Sequence, residues 1–198
     1  MIRPAQSAIE IDVIVASARW KEPKRAEAAV RRAVNRAAAA ALSTSGTELA
    51  IVLADDSAMR LLNRDWRDVD AATNVLSFPG AGTRGRHLGD IVLAFETIAR
   101  EARAEKKPFA HHLAHLAVHG FLHLIGYDHE RDNDAEAMER TEREILRQLA
   151  IPDPYRPRSR TAKSRARSKP ASRAKAPKAA KLGAGRSRKR LGMPPSKP

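Results

Sequence analysis

The sequence predicts an α+β domain, a single roughly four-stranded mixed sheet packed by about five helices, followed by a disordered basic C-terminal tail. Three observations predict it. Four short apolar runs of strand length are bounded by glycine, proline or polar residues, five stretches carry helical spacing, and the composition changes abruptly near residue 152.

Residues 8–16 (AIEIDVIVA) alternate apolar with acidic residues and then turn apolar, the pattern of a half-buried strand or one near a sheet edge. Pro23 suits the first turn of a helix, and residues 26–42 are alanine-rich, with Val30 and Val34 four apart, up to a stop at Ser43-Thr44-Ser45-Gly46. Residues 48–54 (ELAIVLA) read as a buried strand, after which Asp55-Asp56-Ser57 offers the N-cap of a short helix through Met59, Leu62 and Trp66. A polar loop, 67–73, leads to a third strand at Asn74-Val75-Leu76-Ser77-Phe78, stopped by Pro79-Gly80. The basic, glycine-rich loop 80–87 precedes a fourth strand, 88–95, in which Gly89 marks a bulge or a close backbone approach. Residues 96–106 suit a helix, Pro108 restarts one that runs to Leu124, and residues 134–149 form the last, with Glu139 and Arg143 spaced for an ion pair. Leu113, Leu116, Ala117, Phe121, Leu122 and Leu124 cover most of the circumference of the helix ending at Leu124, so it is expected to be largely buried.

Cysteine is absent, which excludes disulfides and thiolate metal ligands and points to a reducing, cytoplasmic setting. Glu10 and Asp12 interrupt the first apolar stretch, and no run approaches membrane-spanning length, so neither a signal segment nor a membrane partner is expected. The net charge of +14 belongs to the tail: residues 151–198 hold 16 Lys and Arg against Asp153, a balance of +15, which leaves −1 for residues 1–150. The chain therefore divides into a folded domain over 1–152 and a Lys/Arg/Ala/Pro-rich tail over 153–198, too poor in apolar residues to offset its ordering entropy. Such a tail suits non-specific, salt-sensitive contact with nucleic acid through counterion release; with Tyr155 as its one aromatic it is not built to stack bases.

The candidate chemistry is concentrated in His119-Gly120-Phe121-Leu122-His123-Leu124-Ile125-Gly126-Tyr127-Asp128-His129. Residues four apart on a helix share a face, so His119 and His123 can offer two imidazoles to one ion. Gly126 stands where the helix is expected to end, because glycine enters the left-handed region without a Cβ clash, and the reversal carries His129 toward the same ion. Three neutral nitrogens with a fourth tetrahedral position left open are the ligand arithmetic of a catalytic metal. Nitrogen ligands suit zinc and also nickel, copper or iron. The spacing, glycine included, matches zinc peptidases of the HExxHxxGxxH type, but Gly120 stands where their glutamate base belongs.

Three blocks carry a more specific likeness: Leu62-Asn63-Arg64-Asp65-Trp66-Arg67 followed by Thr73-Asn74-Val75-Leu76-Ser77-Phe78-Pro79; Leu88-Gly89-Asp90-Ile91; and His115 through His129. In this order and spacing the chain, over roughly residues 9–150, resembles the YbeY family, bacterial endoribonucleases of ribosomal RNA maturation. The resemblance implies one zinc ion per chain on His119, His123 and His129, with Arg67 required for RNA cleavage. It implies single-stranded RNA as substrate, including the 3′ end of 16S ribosomal RNA on the small ribosomal subunit, and a part in ribosome quality control. One departure stands in the loop before Thr73, where Ala72 replaces the usual proline.

Around that centre Arg67 and His119 are the catalytic candidates, the guanidinium of Arg67 forming a fork that suits phosphate. His115, one turn before His119, is expected to line the cleft; as a fourth ligand it would close the open position. Asp128 either orients a ligand imidazole or holds the Gly126-Tyr127 turn. Asn74 and Ser77 have the polarity to contact an RNA backbone, unless Ser77 only satisfies a strand-end hydrogen bond, and Arg84 and Arg86 add phosphate-directed charge. Two other functions compete: a non-enzymatic ribosome assembly factor with structural zinc, and a metallopeptidase, which Gly120 disfavours.

Overall fold

The structure, a computed structural model, describes residues 9–42, 46–80, 86–129 and 131–156. Four strands and five helices follow one another as β1 (Ile9–Val15), α1 (Pro23–Ala41), β2 (Thr47–Ala54), α2 (Asp56–Arg67), β3 (Val75–Pro79), β4 (His87–Ala94), α3 (Phe95–Ala104), α4 (Phe109–Leu124) and α5 (Asp132–Gln148). They build one mixed sheet in the order β1-β2-β4-β3, with β1, β2 and β4 parallel and β3 antiparallel to β4. The α+β architecture expected from the sequence is the one found. Arg84 and the tail from residue 157 lie outside the described residues, as does the expected disorder of that tail.

One face of the sheet is covered along all four strands, whereas the other is covered over β3, β4 and the end of β2 and leaves Glu10, Asp12 and Ile14 of β1 exposed. Along β4, Ile91 and Leu93 face the larger core with α1, α4 and α5, whereas Val92 and Ala94 face a smaller one with Met59 of α2. The same alternation divides β3: Val75 packs on the α4 side, Leu76 and Phe78 on the α2 side. Helix α4 is sunk in the protein, with Leu113, Ala117, Val118, Phe121 and Leu122 at 0–1% exposure, as its all-round apolar sequence foretells. The irregularity marked by Gly89 is present: Glu48 pairs with His87 while Leu49 pairs with Gly89.

Two boundaries differ from the sequence reading for identifiable reasons. Phe95 opens α3 instead of ending β4, because the N-termini of α2 and α3 satisfy each other. Thr97 donates its N–H and hydroxyl to Asp56 at 3.0 and 2.9 Å, and the Asp56 N–H donates to Glu96 at 2.9 Å. At the other end, the composition break near 152 falls before the end of the packed chain. The Lys107 ammonium donates to the Pro154 carbonyl at 3.2 Å, and the Arg143 guanidinium lies 5.5 Å from the centroid of the Tyr155 ring.

Candidate metal centre

Helix α4 presents His119 and His123 one turn apart, and a Schellman ending then reverses the chain. The Gly126 N–H donates to the His123 carbonyl at 3.1 Å and the Tyr127 N–H to the Leu122 carbonyl at 3.0 Å, with Gly126 at φ 96°. This turn brings His129 back: its ring centroid lies 5.7 Å from that of His119 and 5.0 Å from that of His123. One ring nitrogen from each of the three lies within 4.8 Å of the others.

The donor set fits a metal ion. His119 donates through Nδ1 to Oε1 of Glu142 at 2.8 Å, and His123 through Nδ1 to the Tyr127 carbonyl at 3.0 Å. Each anchor fixes the tautomer, so each Nε2 turns a lone pair into the cleft. Those two Nε2 atoms stand 3.1 Å apart. Two such nitrogens at this distance need a proton or a metal ion between them. Nitrogens each 2.0–2.1 Å from a tetrahedral ion would be about 3.3 Å apart. Burial, then the neighbouring His119 and His129 imidazoles, lower the pKa of His123 and hold it neutral, the form that binds metal.

The residue that sequence reasoning missed is Glu142. It is fully buried on α5; burial raises its pKa, but hydrogen bonds from His115 and His119 outweigh that and bring the carboxyl down to about 2. Tyr155 also donates its hydroxyl to Glu142. Burial first, and then this bond to Glu142, push the phenol above its ordinary range. A signal for Glu142 was present in the sequence: Met138, Glu142, Ile145 and Leu149 recur at spacings of 4, 3 and 4, which puts a carboxylate in the core stripe of an amphipathic helix.

The three histidines open onto a cleft of about 870 Å³ that runs along the edge strand β3. Arg67, Asn74, Ser77, Tyr127 and Asp128 line it too. Arg67 arrives from α2, on the opposite face of the sheet from α4, so the site spans the sheet edge. Arg60 and Arg64 are paired with Asp70 and Asp65, but Arg67 forms no ion pair among the described residues. The loop that carries the chain from Arg67 to Asn74 is fixed despite Ala72. Arg60 grips Asp70 with two bonds of 2.7 and 2.6 Å, and the Asn63 amide donates to the Ala71 carbonyl at 2.8 Å.

Of the other expected residues, Asn74, Ser77 and Asp128 line the cleft and His115 and Arg86 do not. His115 is not among the residues lining the cleft; it turns to Glu142, its Nε2 at 3.4 Å from Oε2, and to the Tyr155 ring. Asp128 lines the cleft and accepts the N–H of His129 at 2.7 Å, while Glu142 and the Tyr127 carbonyl meet the imidazoles of His119 and His123. Asn74 spends its amide on Glu101 at 3.0 and 3.2 Å, and Glu101 also meets the buried His112 at 2.8 Å. The Ser77 hydroxyl donates to the Gly120 carbonyl at 3.0 Å and ties β3 to α4. Arg86 is engaged with the Gly46 carbonyl and Glu48 near the start of β2 and is not among the cleft residues. A Cβ on Gly120 would lie 3.0 Å from Ile91 Cγ2, 3.0 Å from Ser77 Oγ and 3.3 Å from Val75 Cγ2, so the position equivalent to the peptidase glutamate is closed by packing.

Fold and site together define a class: an α+β protein whose three-histidine group can hold a metal ion in a cleft along a sheet edge. Residues 15–150 match the family model for endoribonuclease YbeY. A protein of Nitrobacter hamburgensis named endoribonuclease YbeY is 52% identical over 171 residues, covering 82% of this chain and 89% of the relative. Proteins of the same name from Rhodopseudomonas palustris and Bradyrhizobium diazoefficiens are 52% and 51% identical, covering 73% and 76% of this chain and 90% and 87% of theirs. A solution structure from Thermotoga maritima aligns at a TM-score of 0.48 and 22% identity, over 74% of this chain and 99% of that one. The chain belongs to the endoribonuclease YbeY family.

Proposed function

We propose that this protein is a zinc-dependent endoribonuclease specific for single-stranded RNA, acting in ribosomal RNA processing at the 3′ end of 16S RNA and in ribosome quality control. The observation that carries the reading is the pairing of two imidazoles, with Nε2 atoms 3.1 Å apart, with an unpaired arginine on the same cleft. His119, His123 and His129 would hold the zinc, which when bound would supply Lewis acidity toward a phosphoryl oxygen and toward water. The chain's own groups do the rest. Glu142 and the Tyr127 carbonyl hold Nδ1 protons and aim the two helix histidines, and Arg67 offers a fork of N–H donors to the phosphate oxygens on which charge develops.

The catalytic unit is the domain expected over residues 1–152, and the basic tail, expected over 153–198, captures RNA non-specifically. The place of action is the cytoplasm, on the small ribosomal subunit; no described helix is long and apolar enough to cross a membrane. The test is cleavage of an end-labelled single-stranded RNA by the full chain and by Arg67→Ala at matched zinc content. Retained zinc with lost cutting supports the assignment; equal cutting by both proteins, or by neither, refutes it.

A further inference from the structure

A carboxylate with no solvent exposure, such as that of Glu142, has to be met on both oxygens. Oε1 receives Nδ1 of His119 at 2.8 Å. Oε2 has the long, 3.4 Å approach of His115 Nε2 and the Tyr155 hydroxyl, which donates to it. We propose that Tyr155 is a positioning residue of the metal centre: its hydroxyl locks the Glu142 carboxylate in the orientation that receives the His119 N–H, and so aims His119 Nε2 into the cleft. This inference rests on the reading of His119 as a metal ligand.

The side chain is held for that contact. Its ring stands edge-on to His115, with centroids 5.7 Å apart at 84°, and the Arg143 guanidinium lies 5.5 Å from its centroid. Its backbone N–H donates to Asp153 at 2.9 Å, and the carbonyl before it accepts from Lys107 at 3.2 Å. The segment is thus a strap fastened to α5 and to the α3–α4 junction, with one polar atom reaching inward. Tyr155 lies past the residues, 15–150, that the family model matches. With the hydroxyl gone, only the bond from His119 opposes a swing of the carboxylate toward His115 Nε2, and His119 is held less firmly in one tautomer.

The experiment compares the full chain with Tyr155→Phe and Tyr155→Ala. The phenylalanine keeps the ring contacts and removes the hydroxyl alone. Zinc affinity is read by competition with a chromophoric chelator, the Tm of the metal-free proteins by circular dichroism, and the His119 tautomer by nitrogen NMR of the metal-free proteins. Tyr155→Phe is expected to stay folded with a metal-free Tm lowered by the lost bond to the buried carboxylate, to bind zinc roughly 10- to 100-fold more weakly, and to show a mixed tautomer at His119 where the parent shows one. Unchanged affinity and tautomer in Tyr155→Phe, or losses confined to Tyr155→Ala together with its Tm, make the strap merely structural and overturn the proposal. Failure of the parent chain to bind zinc sinks the ligand reading under the proposed function; the metal-free tautomer still decides whether Tyr155 orients His119.

Discussion

Replacing Gly120 by alanine tests how closely α4 must lie on the sheet. Alanine in mid-helix gains about 1 kcal/mol over glycine in propensity. Against this, the new methyl would stand 3.0 Å from Ile91 Cγ2 and Ser77 Oγ, whereas carbon contacts settle near ~3.5–4.0 Å. Ile91 is fully buried and Val75 packs on the same core, so neither moves aside freely. Relief comes from lifting the helix by about 0.5 Å, and overpacking of this kind costs about 1–3 kcal/mol. The net effect is a loss of about 0–2 kcal/mol, centred near ~1 kcal/mol, or roughly 2–4 °C in Tm for a domain of this size. Activity should suffer more, because the same lift weakens the bond from Ser77 to the Gly120 carbonyl and moves two imidazoles relative to Arg67. A displacement of about 1 Å costs on the order of 100-fold in rate, so roughly tenfold is expected here. Calorimetry and single-strand cleavage at matched zinc content measure both. A variant about 1 kcal/mol more stable and fully active would show that the glycine is not required by packing, and the reasoning would fail.

Three further outcomes are expected. Arg67→Ala should lower cleavage by about 10²- to 10³-fold while zinc affinity and Tm stay at parent values, with lysine restoring only part of the loss; steady-state kinetics and metal analysis check it. His123→Ala should bind zinc too weakly to survive chelator competition, and the parent's Tm should rise with added zinc while that of the variant does not. Asp55 accepts from Ser57 and from the Ala58 N–H at the start of α2, and these bonds lower its carboxyl from 3.8 to about 2. A lowered carboxyl stabilises the fold fully above its unfolded value and loses that contribution as pH falls through the folded one. The stability gap between parent and Asp55→Ala, about 1 kcal/mol at neutral pH, should therefore narrow between pH 3.8 and about 2 in urea titrations; a gap independent of pH would contradict it.

What the sequence made legible was local. The i, i+4 pair His119 and His123, the glycine that ends their helix and the apolar circumference of α4 are short-range patterns, and geometry follows from them directly. Glu142 was hidden because its partner lies 23 residues away and because α5 carries six carboxylates, only one of which the packing of Met138 and Ile145 turns inward. Asn74 and Ser77 do line the cleft, but polarity alone does not reveal a partner brought by another element, here Glu101 and the Gly120 carbonyl. Tyr155 was grouped with the basic tail since composition averages over a window, and one aromatic docking through its ring and hydroxyl leaves no periodic trace.

The strap also dates the centre during synthesis. A ribosome delivers the sheet and the histidine helix first, while Glu142 and Tyr155 come 19 and 32 residues after His123. At about 5–20 residues per second, a nascent chain carries its helix histidines for roughly 2–6 seconds before Tyr155 is added. Chains interrupted before α5 keep His119, His123 and His129 yet lack the carboxylate that meets His119, so on the proposed reading the centre would be completed late, and finished molecules would differ in it from fragments.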